Sequence, residues 1–201
     1  MTEEIIKATR QIITNDSTVF GKPGWTPKRE VYFTVYQKIM AAHPIESVLN
    51  IGVGPKLSAL KWNVLIKRFY PSVTRFANLE IDKVAFDKAR KHGSGLINDV
   101  TLGDVKSLLE LFGENAFDLI YWNQGPEHIY REEREETFEQ LKKVAAKAIF
   151  MHCPWGSGYD GDIWHYSKNI QKGEFEAFGF DCEYYGQIHS RDTGIMSYKV
   201  L

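Results

Sequence analysis

The chain has 201 residues, 43% of them hydrophobic and 25% charged, and a formal net charge of −1. This is the balance of an ordinary globular protein, able to bury about two thirds of its unfolded surface around one core. The near-zero charge excludes a bulk electrostatic grip on nucleic acid or on an acidic membrane surface, which leaves nucleic acid an improbable partner. Met1 to Arg10 is acidic and then mixed, without the apolar centre of a secretory signal, and no apolar run approaches ~18 residues. A cytoplasmic protein without a membrane span is expected. Cys153 and Cys182 lie in or beside apolar runs of a core that needs no staple, and are read as reduced.

The first 45 residues hold one amphipathic segment, Arg29 to Ala42, after a stretch rich in glycine and proline. They are read as a helical cover on one compact unit that continues from residue 46 to residue 201. Ser47 to Ile51 is an apolar run that breaks into Gly52-Val-Gly54, and this predicts a strand leaving its sheet through a tight turn. Leu57, Leu60 and Val64, widened by Leu65 and Phe69, predict a helix stopped by Pro71. Arg75 to Glu80 is a second strand, Lys83 to Lys91 a helix, and Leu96 to Asn98 a short third strand. Val105 to Phe112 is a helix stopped at Gly113, and Ala116 to Trp122 is a continuous apolar strand of the parallel kind. Arg131 to Ala146 is a helix with Phe138, Leu141 and Ala145 inward, its charge run Arg131 to Glu136 a solvated face. Lys147 to Cys153 is a fifth strand.

Strand and helix alternate to this point, which implies a parallel sheet with right-handed crossovers and helices on both faces. Phe180 to Gly186 and Gly194 to Val200 are strands joined too closely for a crossover helix, and so form an antiparallel hairpin. The expected fold is α/β: a single-domain Rossmann-like sheet of five parallel βα units and a C-terminal hairpin, seven strands in all. Gly52 and Gly54 by themselves suit any nucleotide-like ligand, because backbone approaches a ligand closely only where side chains are missing.

Five βα units followed by a hairpin, with these motifs in register, resemble the class I S-adenosylmethionine-dependent methyltransferases over roughly residues 30 to 201. Asn50-Ile-Gly52-Val-Gly54 is similar to the family's first motif, although the family usually has Asp or Glu where Asn50 stands and often glycine where Lys56 stands. Glu80, in Leu79-Glu-Ile-Asp82, resembles the acid that takes the ribose hydroxyls, and Ile81 follows it beside the cofactor. A carboxylate suits that task, since its two oxygens accept from two adjacent hydroxyls. Asn98-Asp99-Val100 resembles the segment where an acid accepts from the adenine amino group and the next residue packs on the ring. Phe117 to His128 is similar to the fourth motif, so Trp122 and Asn123 are expected to line the methyl-transfer side. Gly-Pro-Glu127-His128, with Cys153-Pro-Trp-Gly156 later, resembles a pairing found in a subset of bacterial methyltransferases with small domains.

The resemblance implies S-adenosylmethionine as cofactor, S-adenosylhomocysteine as product and a small-molecule acceptor. The alternatives are a binding protein without catalysis, and a methyltransferase acting on RNA or protein. Methyl transfer needs alignment in a water-poor site more than acid-base power. Where a base is needed, His128 and His165 are the candidates for the catalytic residue. Trp155, Tyr159 and Trp164 are candidates for the substrate pocket, in a loop long enough to be functional. His152 and Cys153 are neighbours on a strand and point to opposite faces, so they cannot easily share a proton. No metal site is read, because His128, His152, Cys153, His165 and Cys182 lack ligand-pair spacing. Lys61, Lys67, Arg68 and Arg75 are the clustered positive residues, and solvated helix cover is their expected role.

Overall fold

A computed structural model describes residues 3–15, 24, 26–42, 44–154, 170–185 and 194–201. Helix α1 (Glu3–Asn15) and helix α2 (Pro27–Ala42) precede strand β1 (Ser47–Ile51). Helix α3 (Ala59–Phe69), β2 (Arg75–Glu80), α4 (Lys83–Lys91) and β3 (Val100–Leu102) follow. A 3-10 turn leads into α5 (Leu108–Phe112), and then come β4 (Phe117–Asn123), α6 (Arg134–Val144), β5 (Ala145–Cys153), α7 (Glu174–Ala177), β6 (Asp181–Tyr185) and β7 (Gly194–Val200).

The strands form one seven-stranded sheet in the order β3-β2-β1-β4-β5-β7-β6. Neighbours from β3 to β5 pair parallel, while β7 is antiparallel to both β5 and β6. The C-terminal ends of β1 to β6 therefore share one rim of the sheet. The crossover after β1 turns back at β4, and that switch point is where an open α/β sheet forms its ligand crevice.

The period of two along each strand divides the core cleanly. Leu49, Ile51, Leu79, Ile120, Trp122, Ile149 and Met151 face α5, α6 and α7, joined by Leu108, Phe138, Leu141 and Phe175. Val48, Phe76, Leu119, Tyr121, Ala148 and Phe150 face the other way, toward Ile13, Tyr32, Tyr36, Leu65, Ile66 and Phe69. Both faces being buried explains the near-continuous apolar runs that marked these strands.

Four expectations needed correction. Leu96 to Asn98 is a turn, because the Ile97 and Asn98 amides donate to Ser94 O, and the strand begins at Val100 where pairing with Asn78 starts. The buried face of α3 centres on Ala59, Asn63, Leu65, Ile66 and Phe69, with Leu60 and Val64 at its flanks. The helix expected to run to Ala146 ends at Val144, and Ala145 opens β5 directly. Arg134, within the charge run, is fully buried, since it shares a helix face with Phe138 and Leu141. An N-terminal helix not anticipated, α1, adds Ile13 to the core.

Candidate active site

The turn after β1 is built on left-handed backbone: φ is 85° at Gly52, 76° at Gly54 and 55° at Leu57. Any side chain at Gly54 would press on Ser58, its Cβ lying 2.7 Å from Oγ. At Gly52 an added Cβ would meet nothing within 4 Å, so this glycine borders open space at the rim. That is a cradle a side chain would fill and a ligand can lie against.

Glu80 is buried at the end of β2, and its carboxylate ties two turns together. Oε2 accepts from the Gly54 amide at 2.8 Å, and Oε1 accepts from the Asp82 amide at 2.7 Å. Each oxygen retains a lone pair for a further donor, which is what a pair of adjacent hydroxyls requires. Ile81 beside it is 69% exposed, an apolar side chain left uncovered at the rim. Asp99 is exposed and Val100 half-buried, but contrary to expectation they lie at the N-terminal end of β3: Val100 is level with Asn78, and the residue of β3 that reaches the rim beside Glu80 is Leu102. Asn50, by contrast, lies beneath the turn: it is buried and its Nδ2 donates to Asn63 Oδ1 at 2.8 Å.

On the other half of the rim, Trp122 is buried in the core, and its indole occupies the space above Gly125, where a Cβ would lie 1.7 Å from Nε1. Asn123 Oδ1 is 2.7 Å from His152 Nδ1, and Tyr185 Oη is 2.8 Å from His152 Nε2. With the amide oxygen as acceptor, Nδ1 carries the proton and the tyrosine hydroxyl donates to Nε2. Burial, and then the charge of Lys28, push the His152 pKa well below its ordinary range, so the ring stays neutral. Cys153 points to the opposite face, buried in the core against α6, and burial pushes its thiol up.

His128 is 41% exposed, with Nε2 4.0 Å from Glu127 Oε1. Glu127 itself is buried, and Oε2 has no hydrogen-bond partner among the described residues. Burial pushes its carboxyl up to about 8, against the opposing pull of its own backbone amide and Arg134. Arg134 pairs with Glu174 and donates from Nε to Ile129 O at 3.2 Å. The sequence singled out neither Asn63 nor Asn78, and for His152 it indicated only that the ring faces away from Cys153, as it does. The available signal for Asn63 was a polar residue one turn from Ala59 and Ile66 on a helix packed against the sheet. His165, Trp155, Tyr159 and Trp164 lie outside the described residues.

Of the positive residues near α3, Lys67 Nζ donates to Pro71 O at 2.8 Å, closing the end of that helix. Arg75 stacks over Phe117 at 4.5 Å from the ring centre. Both are committed to the fold. Among the described residues no helix is long and apolar enough to cross a membrane.

No protein-family profile and no curated protein matches the sequence. Solved structures do match the architecture. The methyltransferase domain of a bacterial Hen1 aligns with a TM-score of 0.57 at 13% identity, over 88% of this chain and 100% of that one. A SAM-dependent methyltransferase of Archaeoglobus fulgidus aligns at 0.56 and 14%, over 85% and 94% of the two chains. Magnesium protoporphyrin IX methyltransferase of Synechocystis, solved with SAM bound, aligns at 0.54 and 11%, over 96% of each.

The fold is that of the class I S-adenosylmethionine-dependent methyltransferases. In the frame of that methyltransferase fold, the Gly52 cradle, Glu80 and the C-terminal end of β3 occupy one half of the rim. The ends of β4, β5 and β6 occupy the other.

Proposed function

We propose that this protein is an S-adenosylmethionine-dependent methyltransferase acting on a small-molecule acceptor. The observation that carries the reading is Glu80, a buried carboxylate fixed by the Gly54 and Asp82 amides beside a glycine that borders open space. Backbone amides that hold a carboxylate in place fix its remaining lone pairs before any ligand arrives, so little ordering is left to be done on binding.

When bound, S-adenosylmethionine supplies a methyl group on a sulfonium, already activated for in-line displacement. The chain's residues then have positioning to do. Glu80 accepts from the ribose hydroxyls, Gly52 and Gly54 admit the methionine part, and Ile81 covers the adenine. Asn50 supports the glycine turn from below, and Trp122 and Asn123 form the floor and edge of the methyl-transfer side. His128, partly exposed beside that edge, is the proposed base for an acceptor that must lose a proton. Trp155, Tyr159, Trp164 and His165 are proposed to complete the acceptor side. The small-molecule class is supported by the engagement of Lys67 and Arg75 within the fold, which removes them from a basic binding surface.

Incubation with methyl-labelled S-adenosylmethionine and a panel of phenols, amines and carboxylic acids tests the class. Label in a small product is expected. Label entering added RNA or protein instead would overturn the small-molecule reading, and cofactor binding with no labelled product anywhere would overturn catalysis.

A further inference from the structure

The position where the related fold usually carries an acid is part of an uncharged chain in this protein. Asn50 and Asn78 are in-register partners on neighbouring parallel strands, so their side chains project from the same face. Asn63 descends on them from α3. Asn50 Nδ2 donates to Asn63 Oδ1 at 2.8 Å, and Asn63 Nδ2 donates to Asn78 Oδ1 at 3.0 Å and to Leu96 O at 2.6 Å. Asn78 Nδ2 donates in turn to Asp99 O at 3.0 Å. The three side chains are at most 2% exposed.

The direction of this chain is fixed at its far end. Leu96 O and Asp99 O are carbonyls and only accept, so Asn63 and Asn78 must both turn their Nδ2 toward the Leu96 to Asp99 segment. The Asn63 oxygen is then met from position 50 only by a donor. An amide there supplies one; an ionised carboxylate does not, and would force a flip that sets oxygen against oxygen down to Leu96. A second link runs in parallel, since Val53 of the glycine turn and Ile97 of the segment share one small apolar cluster with Ala59 and Ala89.

We propose that Asn50, Asn63 and Asn78 are positioning residues that set the Leu96 to Asp99 segment relative to the glycine turn, and with it the strand β3 that the segment enters and whose last residue, Leu102, pairs with Glu80 at the rim. This rests on the cofactor reading above. It inverts the expectation from the related sequences: restoring the usual acid by Asn50→Asp weakens the site.

Amide hydrogen exchange on the chain without ligand, with calorimetric binding of S-adenosylhomocysteine and of adenosine, tests this on Asn50→Asp and Asn63→Ala. At about pH 9, Asn50→Asp is expected to lower protection of the Ile97, Asn98 and Asn78 amides roughly tenfold and to weaken both ligands by a similar factor. At about pH 5 the protonated acid donates as the amide did, and protection returns toward that of the unmodified chain. Asn63→Ala, which has no donor at any pH, loses protection at both. Circular dichroism confirms that each variant is folded. Unchanged protection in Asn50→Asp at about pH 9, or tighter S-adenosylhomocysteine binding, overturns the proposal. Failure of the unmodified chain to bind S-adenosylhomocysteine would sink the cofactor reading, while the exchange result still decides whether the chain sets the segment.

Discussion

The two halves of the rim are held by different physics. The half formed by β1, β2 and β3 is fixed by backbone amides on Glu80 and by a chain of uncharged asparagines. The half formed by β4, β5 and β6 gathers groups that burial has displaced: His152 held neutral, Glu127 pushed up to about 8 and Cys153 held as a thiol. In the function proposed above, reading a constant cofactor calls for preset geometry, whereas a water-poor acceptor side serves methyl transfer, and such an environment displaces the titratable groups buried within it.

The largest effect is expected where the second half buries an ion pair. Arg134→Met would leave the Glu174 carboxylate buried without its partner and lower stability in urea unfolding by about 3–5 kcal/mol. A loss no larger than that of a surface pair would erase the distinction between the halves.

Next is Glu127→Gln, whose effect has a sign that depends on pH. The folded carboxyl titrates near 8 against an ordinary value of 4.5, so the fold binds this proton more tightly than the unfolded chain does. Its contribution is fully present below about 4.5 and is lost as pH rises through 8. The glutamine variant should therefore come close to the unmodified chain near pH 5 and exceed it by roughly 4 kcal/mol near pH 9. A difference independent of pH would show that Glu127 is ionised throughout.

Gly125→Ala places a methyl group on the Trp122 indole and should cost about 1–2 kcal/mol in thermal unfolding, with near-ultraviolet dichroism of the tryptophan altered. An unchanged dichroism spectrum would mean that the turn yields without moving the indole. At the small end, Lys83→Ala removes an exposed i,i+4 pair with Asp87 and should change stability by less than about 0.5 kcal/mol, marking the level of an effect unconnected with either half.

The sequence was legible where one requirement dominated. Strands β1 and β2 and helix α4 fall where expected because buried parallel strands are apolar on both faces and Asp82 caps its helix by accepting from the Ala85 amide. Glu80 ends its strand where the apolar run predicted, and its two oxygens accept from the Gly54 and Asp82 amides. The third strand was displaced because Ile97 is apolar for a reason other than pairing: it plugs the space beneath the glycine turn while its backbone makes a turn of its own. The asparagine chain was invisible because its members lie 13 and 15 residues apart and only strand register brings them together. The partners of His152 were hidden for a similar reason, as Asn123 and Tyr185 come from β4 and β6.

Calorimetric titration of the unmodified chain and of Glu80→Ala with S-adenosylhomocysteine tests the central claim most directly. A single site is expected in the unmodified chain, with affinity falling at least about tenfold in the variant, the equivalent of about 1.4 kcal/mol for the lost acceptor. Absence of heat with the unmodified chain, or equal affinity in the two, would contradict a cofactor site built on that carboxylate.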